Sequence, residues 1–484
     1  MKTILRTIIF APIIAVTLIS CHKDLVVIQK GTVTAQEAWL TPEDAEANMY
    51  GMIDKLRVAF YNRLVHWGEY RAGIWEPGLT NNIEILNIFD NTISSANPHT
   101  DWTEIYSALN IANTVLKYAP TVDYTGQEAV MNRVIGSAYF TRAFCNYWIV
   151  RIWGDAPLQT IAIETTDPDI LYPQRASKAD IYAQVAADLE SAAEHLKGTD
   201  IAPNMPNLNA VNTLKADLYL WLYKVEKDSS ALAKARAAVN DVIGKRVLLE
   251  NYADIFNVNN KNNDEEIFLW SMVKDELEGG YAQKWLPTKQ MCKPEYYENP
   301  IPVGSSSQNQ VITKEYQELL YSDPSDTRAK VTFDSFTDAD NTMFVWCNKF
   351  LGTWENNDRR FDSDIIVYRY ADVLLFNAEI YLAEGNTDAA IEQINKIAQR
   401  AYGKANYYEK GQSAEKVKEI IINERIKEFT GEGKLWWDYI RMDVVFDKVS
   451  KLKGKQNNKN ILLWPLSNDS LNGNPKLQQT EIEY

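Results

Sequence analysis

The chain has 484 residues, which is enough for two or three average domains or for one large one. Hydrophobic residues make up 46% and charged residues 24% of the sequence, a composition that excludes a disordered polymer and a protein with many membrane spans. The formal net charge of −15 argues against a nucleic-acid partner, because phosphate binding needs a positive surface. The 14 Trp and 26 Tyr exceed ordinary core needs, and we expect some of these rings to contact a ligand or a partner.

Residues 1–20 have the features of an export signal. A short basic start is followed by the apolar stretch Ile8–Ile19, which is shorter than the roughly 20 residues that a membrane span needs. The small residue Ser20 directly before Cys21 favours a lipoprotein signal peptide over an ordinary secretory leader or an uncleaved anchor. We therefore predict lipidation of Cys21. His22 stands where an aspartate would signal inner-membrane retention, so we predict delivery to the outer membrane.

Helical periodicity dominates the chain after this leader. Apolar side chains recur at i, i+3, i+4 and i+7, the pattern of an amphipathic helix, in stretches such as Met49–Phe60, Ile105–Leu116, Ile181–Leu196, Leu214–Val225 and Ala235–Ile243. Gly198, Gly244 and Gly385 follow such stripes, where a left-handed residue commonly ends a helix. The pattern predicts an all-α protein.

Two stretches predict pairs of helices joined by a short turn. Leu374–Ala401 contains a turn at Glu384–Thr387, and Ala210–Ile243 contains one near Lys227. Small residues stand where the two helices must approach each other. This arrangement fits both tetratricopeptide-like hairpins and plain antiparallel helix packing, and the spacing alone leaves the choice open.

The pattern changes between about residues 251 and 360, which lack a helical period and contain several prolines. Ile267–Trp270 and Met343–Trp346 predict short strands in this region. We predict a helical scaffold with an irregular, loop-rich insertion, divided as scaffold about 35–250 and 361–450, insertion about 251–360, and a C-terminal segment 451–484.

Five sequence blocks resemble, in order, the motifs of the RagB/SusD family of outer-membrane lipoproteins. They are Gly136–Leu158, Arg175–Leu189, Arg369–Glu379, Asn423–Arg441 and Leu463–Gln479. The departures are mild, since Leu466 and Gln479 stand where the family usually has Pro and Asn. The resemblance covers nearly the whole chain from residue 21 to residue 484.

The resemblance implies a SusD-like fold, with tetratricopeptide-like hairpins and a variable region that carries the ligand site. It implies a lipid-anchored, cell-surface protein that binds oligosaccharides and delivers them to a SusC-like TonB-dependent transporter of the outer membrane. Some members of the family bind peptides instead, so a peptide binder is one alternative. A surface glycosidase and a purely structural subunit of the transporter complex are the others.

Sugar-binding sites combine flat aromatic rings with polar neighbours, because a sugar stacks its C–H face and hydrogen-bonds through its hydroxyl groups. Two stretches outside the helical stripes have this composition: Trp67–Pro77 with the following asparagines, and Gly279–Trp285 with the tyrosines after it. From these stretches, and not from family motifs, we predict a ligand site formed by Arg71, Trp75, Asn81, Tyr281, Trp285 and Tyr296. For any single ring, packing in the core is the commoner role.

Catalysis and metal binding find little support in the sequence. It contains no GxSxG or HExxH motif, no complete phosphate loop and no CxxC pair, so we predict no enzyme activity, cofactor or metal. Paired carboxylates of a glycosidase stay open, because many acidic pairs are conceivable. Cys145 has a core-like context, and whether Cys292 and Cys347 pair stays open.

The strongest family motifs predict structural roles. Arg425 and Glu428, three residues apart on one predicted helix, are expected to form a local ion pair. Gly154, after Trp153, is expected to supply an unusual backbone angle in a tight turn that ends a helix.

Overall fold

The computed structural model describes residues 37–78, 80, 82–198, 202–279, 282–287, 308–337, 339, 341, 343–356 and 358–484. The predicted signal peptide, Cys21, Asn81, Tyr281, Cys292 and Tyr296 lie outside the described residues. Along that part of the chain, no helix is long and apolar enough to span a bilayer.

The N-terminal half is helical. Its helices are α1 Pro42–Phe60, α2 Leu64–Gly68, α3 Ile83–Phe89, α4 Thr103–Tyr118, α5 Glu128–Trp153, α6 Pro168–Leu171, α7 Lys178–His195, α8 Leu208–Lys224 and α9 Ala231–Asn240. Helix α1 begins with a capping box between Thr41 and Asp44, so the backbone N–H groups at its start are satisfied locally.

The C-terminal half is helical after a region of short elements. Its helices are α10 Lys314–Leu320, α11 Arg328–Thr332, α12 Tyr370–Ala383, α13 Thr387–Tyr402, α14 Ala414–Phe429, α15 Leu435–Arg441, α16 Val445–Lys448 and α17 Asn468–Gly473. The all-α prediction is confirmed, and so are both predicted hairpins, α8–α9 and α12–α13. Gly198, Gly244 and Gly385 all have φ between 75° and 78°, as their C-cap positions require.

Short antiparallel strand pairs supplement the helices. The strands are β1 Trp75–Pro77, β2 Ala156–Pro157, β3 Arg175–Ala176, β4 Glu266–Trp270, β5 Gln310–Ile312, β6 Phe333–Thr337, β7 Met343–Cys347, β8 Thr353–Glu355, β9 Asp358–Arg360 and β10 Ile365–Arg369. They pair as β1–β5, β2–β3, β4–β10, β6–β7 and β8–β9. The strands predicted at Ile267–Trp270 and Met343–Trp346 are confirmed as β4 and β7.

Helix α5 lies at the centre of the molecule. From Val134 to Trp153 it is buried except for the partly buried Tyr139, and it packs against α1, α4 and α7. It ends at Gly154, whose φ of 74° and ψ of −130° confirm the predicted glycine turn. Cys145 on this helix is buried in the core, as predicted, and burial raises the pKa of its thiol.

Several residues of the family motifs lie in a buried ion network. Its basic members are Arg328, Lys349, Arg369, Arg400 and Lys427, and its acidic members are Glu265, Asp326, Glu424, Glu428 and Glu432. Burial alone would raise the pKa of Glu428, but Arg400, Arg369 and Arg328 outweigh burial and hold that pKa below its usual range. Each of these side chains has at least one opposite charge beside it, so none is buried as an unpaired ion, and the network continues through Lys434, whose Nζ lies 3.4 Å from Glu432 Oε2 and 2.6 Å from Asp372 Oδ2.

The predicted ion pair between Arg425 and Glu428 is wrong. Glu428 binds the three arginines of the network, whereas Arg425 Nε lies 2.8 Å from Asp438 Oδ2 and Arg425 Nη1 lies 3.6 Å from Glu379 Oε1. The two side chains are near in sequence, but each forms its ion pairs with partners from other elements. A charged group in a core pairs with whichever opposite charge is buried beside it, whatever the sequence separation.

Candidate functional site

Trp75 and Trp285, from the two aromatic stretches, stack on each other. Their ring centroids are 4.6 Å apart at 27°, and both rings are buried. Trp285 Nε1 donates to Tyr70 Oη at 3.0 Å, and Tyr70 packs edge-on against Trp75 at 5.5 Å. The structure therefore brings the two predicted stretches together, and the two tryptophan rings pack against each other and against neighbouring side chains.

The buried carboxylate of Glu69 is hydrogen-bonded to this aromatic stack. Glu69 Oε1 accepts hydrogen bonds from Trp75 Nε1 at 2.9 Å and Gly431 N at 2.7 Å, and Oε2 accepts one from Gly433 N at 2.8 Å. Burial raises the pKa of Glu69 to about 7, although these donors oppose the shift. Glu69 thus links the aromatic stack to the glycine-rich turn after α14.

Arg71 is buried and binds the C-terminal segment. Its Nε donates to Asn91 Oδ1 at 2.8 Å, and its two Nη atoms donate to the carbonyl oxygens of residues 461–463 at 2.6 to 3.2 Å. Its guanidinium also lies 4.2 Å from the ring centroid of Trp436. Burial lowers the pKa of Arg71 to about 9, which leaves it charged at neutral pH.

The backbone pairing of β1 with β5 continues past the end of β1. Beyond β1, Gly78 N donates to Asn309 O at 2.8 Å and Thr80 N donates to Gln308 O at 3.1 Å. A Cβ at Gly78 would lie 2.6 Å from Gln308 O, so only glycine permits this approach. Asn309 Nδ2 donates to Thr80 Oγ1 at 2.6 Å, while Asn309 Oδ1 accepts no hydrogen bond from the described residues.

The β6–β7 hairpin lies beside this β1–β5 edge, because β5 contacts β7. Gln308 Nε2 fixes the two parts together by donating to Val345 O at 2.7 Å and Trp285 O at 3.0 Å. On the hairpin, the half-buried ring of Phe336 stacks on Phe344 with centroids 4.9 Å apart.

We use the name edge surface for the half-buried and exposed side chains of this edge and of the adjoining hairpin, which are Thr80, Asn82, Asn309, Phe336 and Met343. Met343 is 51% exposed and Asn82 is also exposed. Aromatic, thioether, amide and hydroxyl groups side by side can hold an amphipathic ligand such as a sugar. Phe336 and Asn309 were missed by the sequence analysis, because the contact between residues 80 and 309 joins parts of the chain 229 residues apart.

The predicted site residues divide into two groups. Arg71, Trp75 and Trp285 are buried, and their described contacts are with protein: the two tryptophans stack on each other, and Arg71 binds the C-terminal segment. Asn81, Tyr281 and Tyr296 lie outside the described residues, although Thr80 and Asn82 place the neighbours of Asn81 at the edge surface. Ligand contact by these six residues stays a prediction.

The described residues provide neither a metal site nor an exposed thiol at the edge surface. Among the described residues, no group of three or more His, Cys, Asp or Glu side chains is placed to hold a metal ion. Cys347 is a free, buried thiol, and burial raises its pKa to about 12.

Comparisons with known proteins agree with this architecture. Residues 250–484 match the model of the SusD family, and residues 75–220 match a related model described as starch-binding and associating with the outer membrane. The chain belongs to the SusD family.

Similar proteins cover almost the whole chain. A SusD-like protein, P38, of Formosa agariphila is 23% identical and aligns with 95% of this chain and 95% of its own length. NanU of Bacteroides fragilis has a similar structure, with a TM-score of 0.80 and 24% identity over 93% of this chain and 99% of that one. A SusD superfamily protein of Bacteroides vulgatus gives a TM-score of 0.78 at 25% identity over 91% and 99% of the two chains. The SusD-like fold predicted from the sequence is confirmed.

Proposed function

We propose that this protein is a non-catalytic, cell-surface lipoprotein that binds oligosaccharides and passes them to a SusC-like TonB-dependent transporter in the outer membrane. Membership of the SusD family and the match to a model described as starch-binding support this proposal. The observation that carries it is the edge surface, where the β6–β7 hairpin with half-buried Phe336 and exposed Met343 adjoins the β1–β5 edge that carries the amide side chains of Asn82 and Asn309.

In this proposal each part of the chain has one task. The lipid on Cys21 holds the protein at the outer face of the membrane, and the edge surface binds the sugar through ring stacking and amide hydrogen bonds. Trp75 and Trp285 support that surface from beneath, so they affect binding through its shape. The transporter and its TonB partner supply the energy for uptake.

Binding at the edge surface is tested by titrating the protein with a panel of neutral and acidic oligosaccharides and of peptides. We expect Phe336→Ala and Asn309→Ala each to weaken binding of the recognised glycan by about tenfold, because each removes a contact worth roughly 1 kcal/mol or more. Tyr50→Ala is the matched control, since Tyr50 is 52% exposed on α1, away from this surface. Unchanged affinity in both edge variants would refute the placement of the site.

The partner and the anchor are tested in cells. We expect the protein, purified in mild detergent, to carry with it a TonB-dependent outer-membrane protein, and a Cys21→Ala variant to be lost from the membrane fraction. Binding of peptides alone would favour the peptide-binding alternative. Release of new reducing ends from a bound glycan would favour the glycosidase.

A further inference from the structure

A second open groove lies between helix α4 and the C-terminal segment, and its lining residues do not belong to the edge surface. It has a volume of about 470 Å³ and is lined by α4, by residues 157–173 and by residues 469–477. This volume falls within the range of small-molecule sites, about 300–1,000 Å³.

The groove combines aromatic rings with unengaged polar groups. Trp102 and Tyr106 pack edge to face with centroids 5.2 Å apart, and Tyr106 Oη donates to Pro157 O at 2.8 Å, which fixes the ring of Tyr106. Asn110 Oδ1 accepts from Ile163 N at 2.8 Å, so the Asn110 amide is oriented with its N–H₂ group still available.

A hydrogen-bond donor of Trp102 is open to the groove. Trp102 is 6% exposed, and its indole N–H donates to no acceptor among the described residues. Ser107 Oγ and the Gln159 amide, which also line the groove, make no side-chain hydrogen bond within that part of the chain. The ring of Trp102 is largely buried, but its indole N–H is not among the buried polar atoms without a partner, so it is accessible from the groove, where a ligand hydroxyl would accept its hydrogen bond.

The chemistry of the lining selects the class of ligand. Of the described lining residues, Asp469 is the one that belongs to a charged residue type (Asp, Glu, Lys or Arg), so the groove suits an uncharged molecule. Ring faces together with hydroxyl and amide groups match a molecule that has an apolar face and many hydroxyls. We propose that this groove is a second carbohydrate site, which binds a short, neutral oligosaccharide independently of the edge surface. This second-site proposal rests on the proposed function only for the class of ligand, an oligosaccharide.

The test follows Trp102 itself. The full chain is labelled with 5-fluorotryptophan, and the ¹⁹F resonance of Trp102 is assigned by its loss in Trp102→Phe. Maltoheptaose, cellohexaose, xylohexaose and mannohexaose are then titrated, with oligogalacturonate as the acidic comparison. We expect at least one neutral oligosaccharide to shift the Trp102 resonance and oligogalacturonate not to shift it.

Two substitutions establish the location. Ser107→Trp fills the groove without removing a hydrogen bond, and we expect it to weaken the titration seen at Trp102 by at least about tenfold. Ser191→Trp on α7 is the matched control, because Ser191 is likewise a half-buried helical serine. Tyr106→Phe keeps the ring and is expected to retain binding.

The outcomes separate this inference from the proposed function. A glycan that binds the chain and responds to Phe336→Ala, but leaves the Trp102 resonance unmoved, would overturn the second site and leave the proposed function standing. If none of the oligosaccharides binds the chain, both the second site and the proposed function are overturned. A shift that persists unchanged in Ser107→Trp would also overturn the groove as the site.

Discussion

Arg71 provides the sharpest test of how the C-terminal segment is held. Arg71→Lys replaces a planar group, which reaches Asn91 and the carbonyls of residues 461–463 at once, with a single ammonium that cannot span them. Each buried carbonyl left without a donor costs about 1–3 kcal/mol. If at least two are lost, we expect the free energy of unfolding to fall by about 3 kcal/mol.

The assay is urea unfolding combined with hydrogen exchange of the C-terminal segment 451–484. We expect faster exchange in residues 461–484 of Arg71→Lys, because the donors that hold their start are gone. Arg63→Lys is the control, since Arg63 makes one hydrogen bond, to Asp101 O at 3.2 Å, and we expect a loss of about 1 kcal/mol or less. Unchanged stability and exchange in Arg71→Lys, together with lost glycan binding, would refute the structural role and favour direct ligand contact.

Three further predictions concern the core. Gly68→Ala should prevent folding as judged by circular dichroism, because its Cβ would lie 1.8 Å from Gly433 O. Gly51→Ala, at an exposed position of α1, places a Cβ that meets nothing within 4 Å and should stabilise the protein by about 0.5–1 kcal/mol. Equal effects of the two changes would contradict this packing. Arg369→Met should lower the free energy of urea unfolding by about 3–5 kcal/mol, since it removes a buried cation shared by Glu265, Glu428 and Glu432 and leaves the network with an uncompensated negative charge. A loss below about 1 kcal/mol would show that the network is dispensable. The pKa of Glu69 is raised from 4.5 to about 7, so its contribution to stability is fully present below pH 4.5 and is lost, by about 3 kcal/mol, as the pH rises through 7. When the free energy of unfolding is measured from pH 5 to pH 8, a Glu69→Gln variant should lack this part of the pH dependence. A pH profile identical to that of the parent protein would count against this role of Glu69.

The local elements could be predicted because their signals are local. The apolar stripes, the glycines after them and the turn at Gly154 act through neighbouring residues, and the structure confirms them. The strands at Ile267–Trp270 and Met343–Trp346 were likewise indicated by short apolar runs between turn residues. The family motifs extended these local predictions to the whole fold.

The partners of buried charges could not be predicted in the same way. Arg425 and Glu428 have the spacing of a helical ion pair, but Glu428 binds Arg328 and Arg369, which lie 100 and 59 residues away. Helical spacing shows which side chains are able to meet, and burial decides which charges must be neutralised.

The candidate site shows a related limit, because the same residue types form cores and sugar sites. Trp75 and Trp285 were correctly placed in one region, yet their rings pack on each other instead of lying open. Phe336 gave no signal of its own, since its hairpin is brought to the β1–β5 edge by the contact between β7 and β5, which are distant in sequence. Exposure is a property of the folded chain, and composition does not reveal it.

The central claim is that this protein captures glycans without cleaving them. The most direct measurement is calorimetric binding of the purified chain to a panel of polysaccharides and peptides, with reducing ends assayed in the same samples. The account predicts saturable binding to at least one glycan with no increase in reducing ends. Binding to peptides alone, or new reducing ends that appear with the bound glycan, would contradict it.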